Sequence, residues 1–220
     1  MTTRKVYIAQ LEELAQHVST MGTQLEHMID QVIEALKNMD IEEAQDLIEK
    51  DDIIDQMERD IERACINIVA KQQPVATDLR RVTSVMRMIS DLERIADHCA
   101  DIAEHIKDLT QRKPVPMPVG LLEMLRHMRS MVSRTINSFI EENIEAVSQI
   151  VKDDDTVDWY FNDIKENLCV LMKENPDDIR AYVDYLLIIK YVERMADHAT
   201  NIAEWVAFIV TGDLQEYMNS

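Results

Sequence analysis

Apolar residues recur along this chain in steps of three and four. Leu11, Leu14, Val18, Met21, Leu25, Met28, Val32, Ala35 and Met39 follow that spacing without a break. A strand would alternate in twos, so the pattern predicts a long first helix with one face packed against other helices. A short turn is expected at residues 38–40, with Asp40 as the next N-cap. The second helix carries Leu47, Ile54, Ile61, Cys65 and Ile68, runs to about Lys71, and is broken by Gln72, Gln73 and Pro74. Thr77 is the expected N-cap of a third helix. Its stripe of Val85, Met88, Leu92, Ile95, Cys99, Ile102 and Ile106 ends near Thr110.

Pro114, Pro116 and Pro118 then forbid a regular helix and mark residues 111–120 as a linker. Beyond it the plan repeats. Leu121, Leu125, Met128, Val132, Thr135 and Phe139 form one stripe. Val147, Ile150, Val157, Phe161, Ile164, Leu168 and Leu171 form a second, broken at Asn175 and Pro176. Ile188, Val192, Met195, Ala199, Ile202 and Val206 form a third. The letters repeat as well. DLERIADHCADIAEHI at 91–106 matches YVERMADHATNIAEWV at 191–206, and KDDIID at 50–55 resembles DDDTVD at 153–158. The expected fold is all-α: six long helices in two three-helix repeats, residues 1–110 and 121–220, joined by the proline-rich linker.

Composition narrows the function. Only 3 glycines and 5% aromatics argue against a sandwich or barrel, and rule out a glycine-rich phosphate loop or dinucleotide fingerprint. The formal net charge of −19 repels nucleic acid and anionic lipid. Cys65, Cys99 and Cys169 are widely spaced and read as buried small hydrophobes rather than a disulfide or zinc framework. The N-terminus has no apolar segment after its basic residues, and no apolar run approaches the roughly 20 residues of a membrane span. A cytoplasmic protein is expected.

Acids stand where core residues should. The stripe of the second helix steps from Leu47 to Asp51 to Ile54, and that of the fifth from Ile150 to Asp154 to Val157. An unpaired carboxylate on a core-facing stripe costs several kcal/mol or forces its own protonation. Each acid has a companion one turn on: Asp51 with Asp55, Asp154 with Asp158. The third helix of each repeat does likewise, with Glu93, Asp97 and then Asp101, and with Glu193, Asp197 and then Asn201. Spacing of four puts both carboxylates of a pair on one helix face. If the second and third helices of a repeat run antiparallel, two pairs meet as an all-oxygen cage suited to hard or borderline cations. Surface acids paired with Arg94 and Arg194 would explain one such motif. Four pairs on matching helices of a duplicated chain favour metal. His98 and His198 point about 100° away from the adjacent acids and are expected to pack or hydrogen-bond rather than ligate.

LERIADH and VERMADH, each followed by IAE, together with KDDIID and QQPVATDLR, closely resemble the repeated signature of the PhoU family. The resemblance covers about residues 21–211. It implies a six-helix, two-bundle protein that forms a homodimer. It also implies an accessory of a phosphate ABC transporter that restrains a phosphate-responsive histidine kinase when phosphate is plentiful. Multinuclear metal clusters occur in some members, with multinuclear iron one expectation here, which implicates Asp51, Asp55, Glu93 and Asp97 in the first repeat. Asp154, Asp158, Glu193 and Asp197 are implicated in the second. Mg, Mn, Ca and Zn remain alternatives. Two departures stand out: Ala96 and Ala196 replace the family's glycine, and Asp101 has Asn201 as its counterpart.

Three functions follow. The first is a regulatory adaptor that performs no chemistry. The second is a di-iron carboxylate oxidase, which needs Glu-x-x-His pairs that none of the six histidines supplies. The third is a purely structural helical oligomer whose acids are solvated.

Overall fold

The computed structural model describes residues 3–213, without the side chains of Thr3, Arg4 and Asp51. The described residues form six helices: α1 (Thr3–Asn38), α2 (Ile41–Gln72), α3 (Thr77–Thr110), α4 (Leu121–Glu141), α5 (Ile144–Glu174) and α6 (Ile179–Thr211). A single 3-10 turn, Pro176–Asp178, joins the last two. The residues between α3 and α4 are irregular, as the three prolines require.

The helix ends follow local chemistry. Asp40 caps α2, its side chain accepting from the backbone N–H of Glu42 and Glu43. Asn143 caps α5 through the N–H of Ala146. Thr77 is not the cap expected of it. It is already helical, and α3 is entered through a tight turn in which the Asp78 N–H donates to the Val75 carbonyl. Ala76 occupies that turn at φ 48°, ψ −117°, a conformation that suits glycine.

Packing has two layers. α3 and α6 lie side by side, flanked by α2 against α3 and α5 against α6; α1 backs α3, α4 backs α6, and α1 and α4 touch each other. The α3–α6 pair is antiparallel. His198 meets Asp91, Tyr191 meets His98, and Asp184 meets His105, so seven residues forward on one helix is seven back on the other. With the repeat offset of 100, this pairing relates the two halves by an approximate two-fold. The apolar stripes fill the interior, including Met21, Leu25, Leu92, Ile95, Val192 and Met195. Gly22 lets α1 approach α4: a Cβ there would meet Ile136 at 2.8 Å.

Cys65 and Cys99 are buried as expected, and burial pushes the Cys65 thiol up to about 12. Cys169 is exposed, contrary to expectation, because it sits beside rather than on the stripe of Ile164 and Leu168. Among the described residues, no helix is long and apolar enough to cross a membrane.

Candidate metal centre

The first acidic cluster forms where α2 crosses the middle of α3. Asp55 follows buried Ile54, and Glu93 follows buried Leu92, so each acid borders the core. One carboxylate oxygen from each of Asp55, Glu93 and Asp97 lies within 4.8 Å of the others. Glu58, which the stepwise acid pattern does not include, belongs to the same neighbourhood. The Ser90 hydroxyl donates to its Oε1 at 2.9 Å, and its charge acts on Glu93. The Glu93 side chain is 18% exposed. Burial, followed by the negative charge of Asp97 and then of Glu58 and Asp55, raises its carboxyl to about 7. Arg94 offsets part of this, with Nε 3.6 Å from Glu93 and Nη1 donating to Asp97 at 2.9 Å. Arg59 donates to Asp55 at 3.2 Å.

The second cluster lies across α5 and α6. Asp154 is half-buried on its stripe, and burial followed by the charges of Asp197, Asp158, Asp155 and Glu193 raises its carboxyl to about 7. Asp158 and Asp197 are raised too, first by burial and then by Glu193. Arg194, the partner that solvated surface acids would take, is not the residue that compensates here. Lys190 does so, donating to Glu193 Oε2 at 2.5 Å and drawing the carboxyls of Asp158 and Asp197 downward. Among the described residues, no three acids of this cluster converge within 4.8 Å.

Of the remaining predicted ligands, one is not described and one stands apart. The side chain of Asp51 lies outside the described residues. Asp101 turns to the α3–α6 seam and pairs with His98 Nδ1 at 3.1 Å. Eight residues from Glu93 is about 80° around the helix and about 12 Å along it, so Asp101 faces α6 rather than α2. His98 and His198 serve the same seam, as their positions on the helix indicate. Their rings are 5.8 Å apart, and His198 Nδ1 is 2.8 Å from Asp91. Glu58 escapes a pattern built on steps of four, because Asp55 to Glu58 is a step of three on the same face.

A further His105–Asp108–Asp184 group joins the end of α3 to the start of α6. Asp184 is buried, and its two oxygens already accept from Arg112 Nε at 2.8 Å and face His105 Nδ1 at 3.2 Å. This is a satisfied polar pin between the repeats. The Asp55 and Asp154 clusters differ from it: each gathers several carboxylates and is under-compensated. Their carboxylate-only donor sets fit Mg²⁺, Mn²⁺, Ca²⁺ or iron better than zinc, which favours imidazole and thiolate.

Comparison with known proteins agrees with the duplication. The PhoU domain matches this chain twice, over residues 18–106 and 121–206. The chain is 35% identical over 211 residues to the phosphate-specific transport system accessory protein PhoU homolog of Clostridium acetobutylicum, covering 96% of each chain. It is 31% identical over 204 residues to the phosphate-specific transport system accessory protein PhoU of Escherichia coli, covering 93% of this chain and 85% of that one. The crystal structure of PhoU from Pseudomonas aeruginosa superimposes with a TM-score of 0.91 at 31% identity, over 94% of this chain and all of the other. That of the phosphate transport system regulatory protein PhoU from Streptococcus pneumoniae gives 0.88 at 31% identity, over 94% and 98%. With two domain matches spanning most of its length, similar relatives along nearly the whole chain and the same six-helix fold, this chain belongs to the PhoU family.

Proposed function

We propose that this chain is a cytoplasmic, non-enzymatic accessory protein of phosphate uptake. In that role it couples a phosphate ABC transporter to a phosphate-responsive histidine kinase and restrains the starvation response when phosphate is abundant. The observation that carries the reading is the end-to-end similarity to phosphate-transport accessory proteins, combined with a carboxylate cluster in each repeat. The working form is a homodimer that holds metal at both clusters. Asp55, Glu58, Glu93 and Asp97 would serve the first, with Asp51 as the sequence counterpart of Asp154. Asp154, Asp158, Glu193 and Asp197 would serve the second. The metal would neutralise carboxylates that otherwise repel one another across α2–α3 and α5–α6, and so stiffen the surface offered to partners. Each repeat keeps its own residues for this purpose, and no bond-breaking step is required of them.

The test is a phosphate-starvation reporter in phosphate-rich medium, in the source organism with and without this gene. Reporter activity rises on deletion if the chain is a negative regulator. Unchanged activity on deletion contradicts the reading.

A further inference from the structure

The two acidic clusters share one plan, and two of the positions at which they differ lie against each other. The offset that places Asp55 on Asp158 places Glu58 on Phe161; the offset that places Glu93 on Glu193 places Ser90 on Lys190. In the first repeat the Ser90 hydroxyl donates to Glu58 Oε1 at 2.9 Å, so a neutral group orients an extra carboxylate. In the second, Lys190 Nζ lies 5.4 Å from the centroid of the Phe161 ring and 2.5 Å from Glu193 Oε2. At this pair of positions the exchange removes one negative charge and adds one positive charge, while Arg59, which serves Asp55 in the first repeat, has the neutral Asn162 as its counterpart.

Lys190 does not simply take the place of Arg94. The position of Arg94 is kept as Arg194, but Lys190, about one turn earlier, is the cation that pairs with the acids of the second cluster. In the first cluster Arg94 touches Glu93 and Asp97, and Arg59 touches Asp55, each an acid of the arginine's own helix, from side chains that are 60% and 47% exposed. Lys190 instead projects from the turn before Glu193, and its charge also acts on Asp158 and Asp197. The acids fit this picture: among the described residues three converge within 4.8 Å in the first cluster, and no three do so in the second.

We propose that Lys190 is a built-in counter-ion of the second cluster. The first cluster is then the tighter metal site, and the second takes metal only in competition with the lysine ammonium. This rests on the metal-binding reading above and adds a rank order to it. A divalent cation entering the second cluster must displace Lys190 from Glu193 or bind beside a like charge. At the first cluster, Glu58 offers one more oxygen, and the position of the ammonium is held by the neutral Ser90. The two halves of one duplicated chain would thus fill at different metal concentrations.

The experiment is a titration of the chelator-treated protein with Mn²⁺, following the spectroscopic signal of the free ion. Asp55→Asn/Glu93→Gln and Asp158→Asn/Glu193→Gln double variants assign each binding class to its cluster, and circular dichroism melts confirm that every variant is folded. The wild type is expected to show a tight class lost in the first double variant and a weaker class lost in the second. Lys190→Gln should tighten the weaker class by about 10–100-fold, the range seen when groups around metal ligands are changed, and leave the tight class in place. Lys190→Arg keeps the charge and should leave the weaker class weak. Glu58→Gln should weaken the tight class by a similar factor. Unchanged affinity of the weaker class in Lys190→Gln, or equal affinities in the wild type, overturns this inference while leaving metal binding intact. A wild type that binds no Mn²⁺ overturns the metal reading and this inference with it.

Discussion

Glu93→Gln should have opposite effects with and without metal. In the metal-free chain the Glu93 carboxyl stands at about 7 instead of its ordinary 4.5, with burial the first cause and the charge of Asp97 the second. A carboxyl raised on folding binds more protons in the folded chain than in the unfolded one between those values. Stability is therefore full below about pH 4.5 and falls as pH rises towards 7. At 1.36 kcal/mol per pH unit the full displacement would be worth about 3.4 kcal/mol; water still reaches the cluster and screens it, which leaves about 1–2 kcal/mol. Glutamine keeps the shape and removes the charge. The ion pair between Glu93 and the exposed Arg94, at 3.6 Å, is worth no more than about 0.5 kcal/mol, so breaking it offsets little of that gain. The net gain at pH 8 is about 1 kcal/mol, which for a chain of this length raises the Tm by about 2–4 °C. At pH 4.5 the wild-type carboxyl is already protonated and the advantage should vanish. With saturating Mn²⁺ the order reverses, because the wild type gains a ligand that the variant no longer binds as well. The assay is thermal unfolding at pH 4.5 and pH 8, with chelator and with Mn²⁺. A variant less stable than wild type at pH 8 in chelator, or equally advantaged at both pH values, would show that Glu93 is not strained by its neighbours and is held by a simple Arg94 ion pair.

Three further outcomes test the fold. Asp184→Ala removes the buried carboxylate that Arg112 and His105 share at the junction of the repeats; since both can partly rehydrate, the loss should be about 2–3 kcal/mol by denaturant unfolding. Gly22→Ala should destabilise the protein by about 1–2 kcal/mol despite alanine's better helix propensity, because the new methyl meets Ile136 at 2.8 Å; a gain in stability would show that α1 and α4 pack loosely enough to admit it. Ala76→Gly should stabilise by about 0.5–1 kcal/mol, since φ 48°, ψ −117° is a conformation that glycine adopts without the penalty of a Cβ.

Much of the fold is legible in the letters because helices impose a period. The stripes through Met21, Leu92 and Val192 mark which faces are buried, and the offset of 100 between LERIADH and VERMADH exposes the duplication. Periodicity also finds the acids beside the core, because a residue next to Leu92 or Val192 must border the stripe. It does not say where a side chain turns once there. Asp101 sits on the same helix as Glu93 and Asp97, yet it serves His98 because the helix has rotated it towards α6. Nor does spacing within one helix reveal Lys190 against Phe161, or Ser90 against Glu58, since each pair joins two different helices. The strained turn at Ala76 is hidden for a similar reason: Thr77 is a plausible cap by type, and only the backbone path decides against it.

Regulation through the carboxylate clusters is tested by complementation of a deletion strain, read as phosphate-starvation reporter activity in phosphate-rich medium. The wild-type gene should restore low activity. A gene carrying Asp55→Asn, Glu93→Gln, Asp158→Asn and Glu193→Gln, shown by circular dichroism to encode a folded and abundant protein, should leave it high. If that variant represses as well as wild type, the carboxylate clusters are not part of the regulatory function, and if deletion never raises the reporter, the regulatory function itself is contradicted.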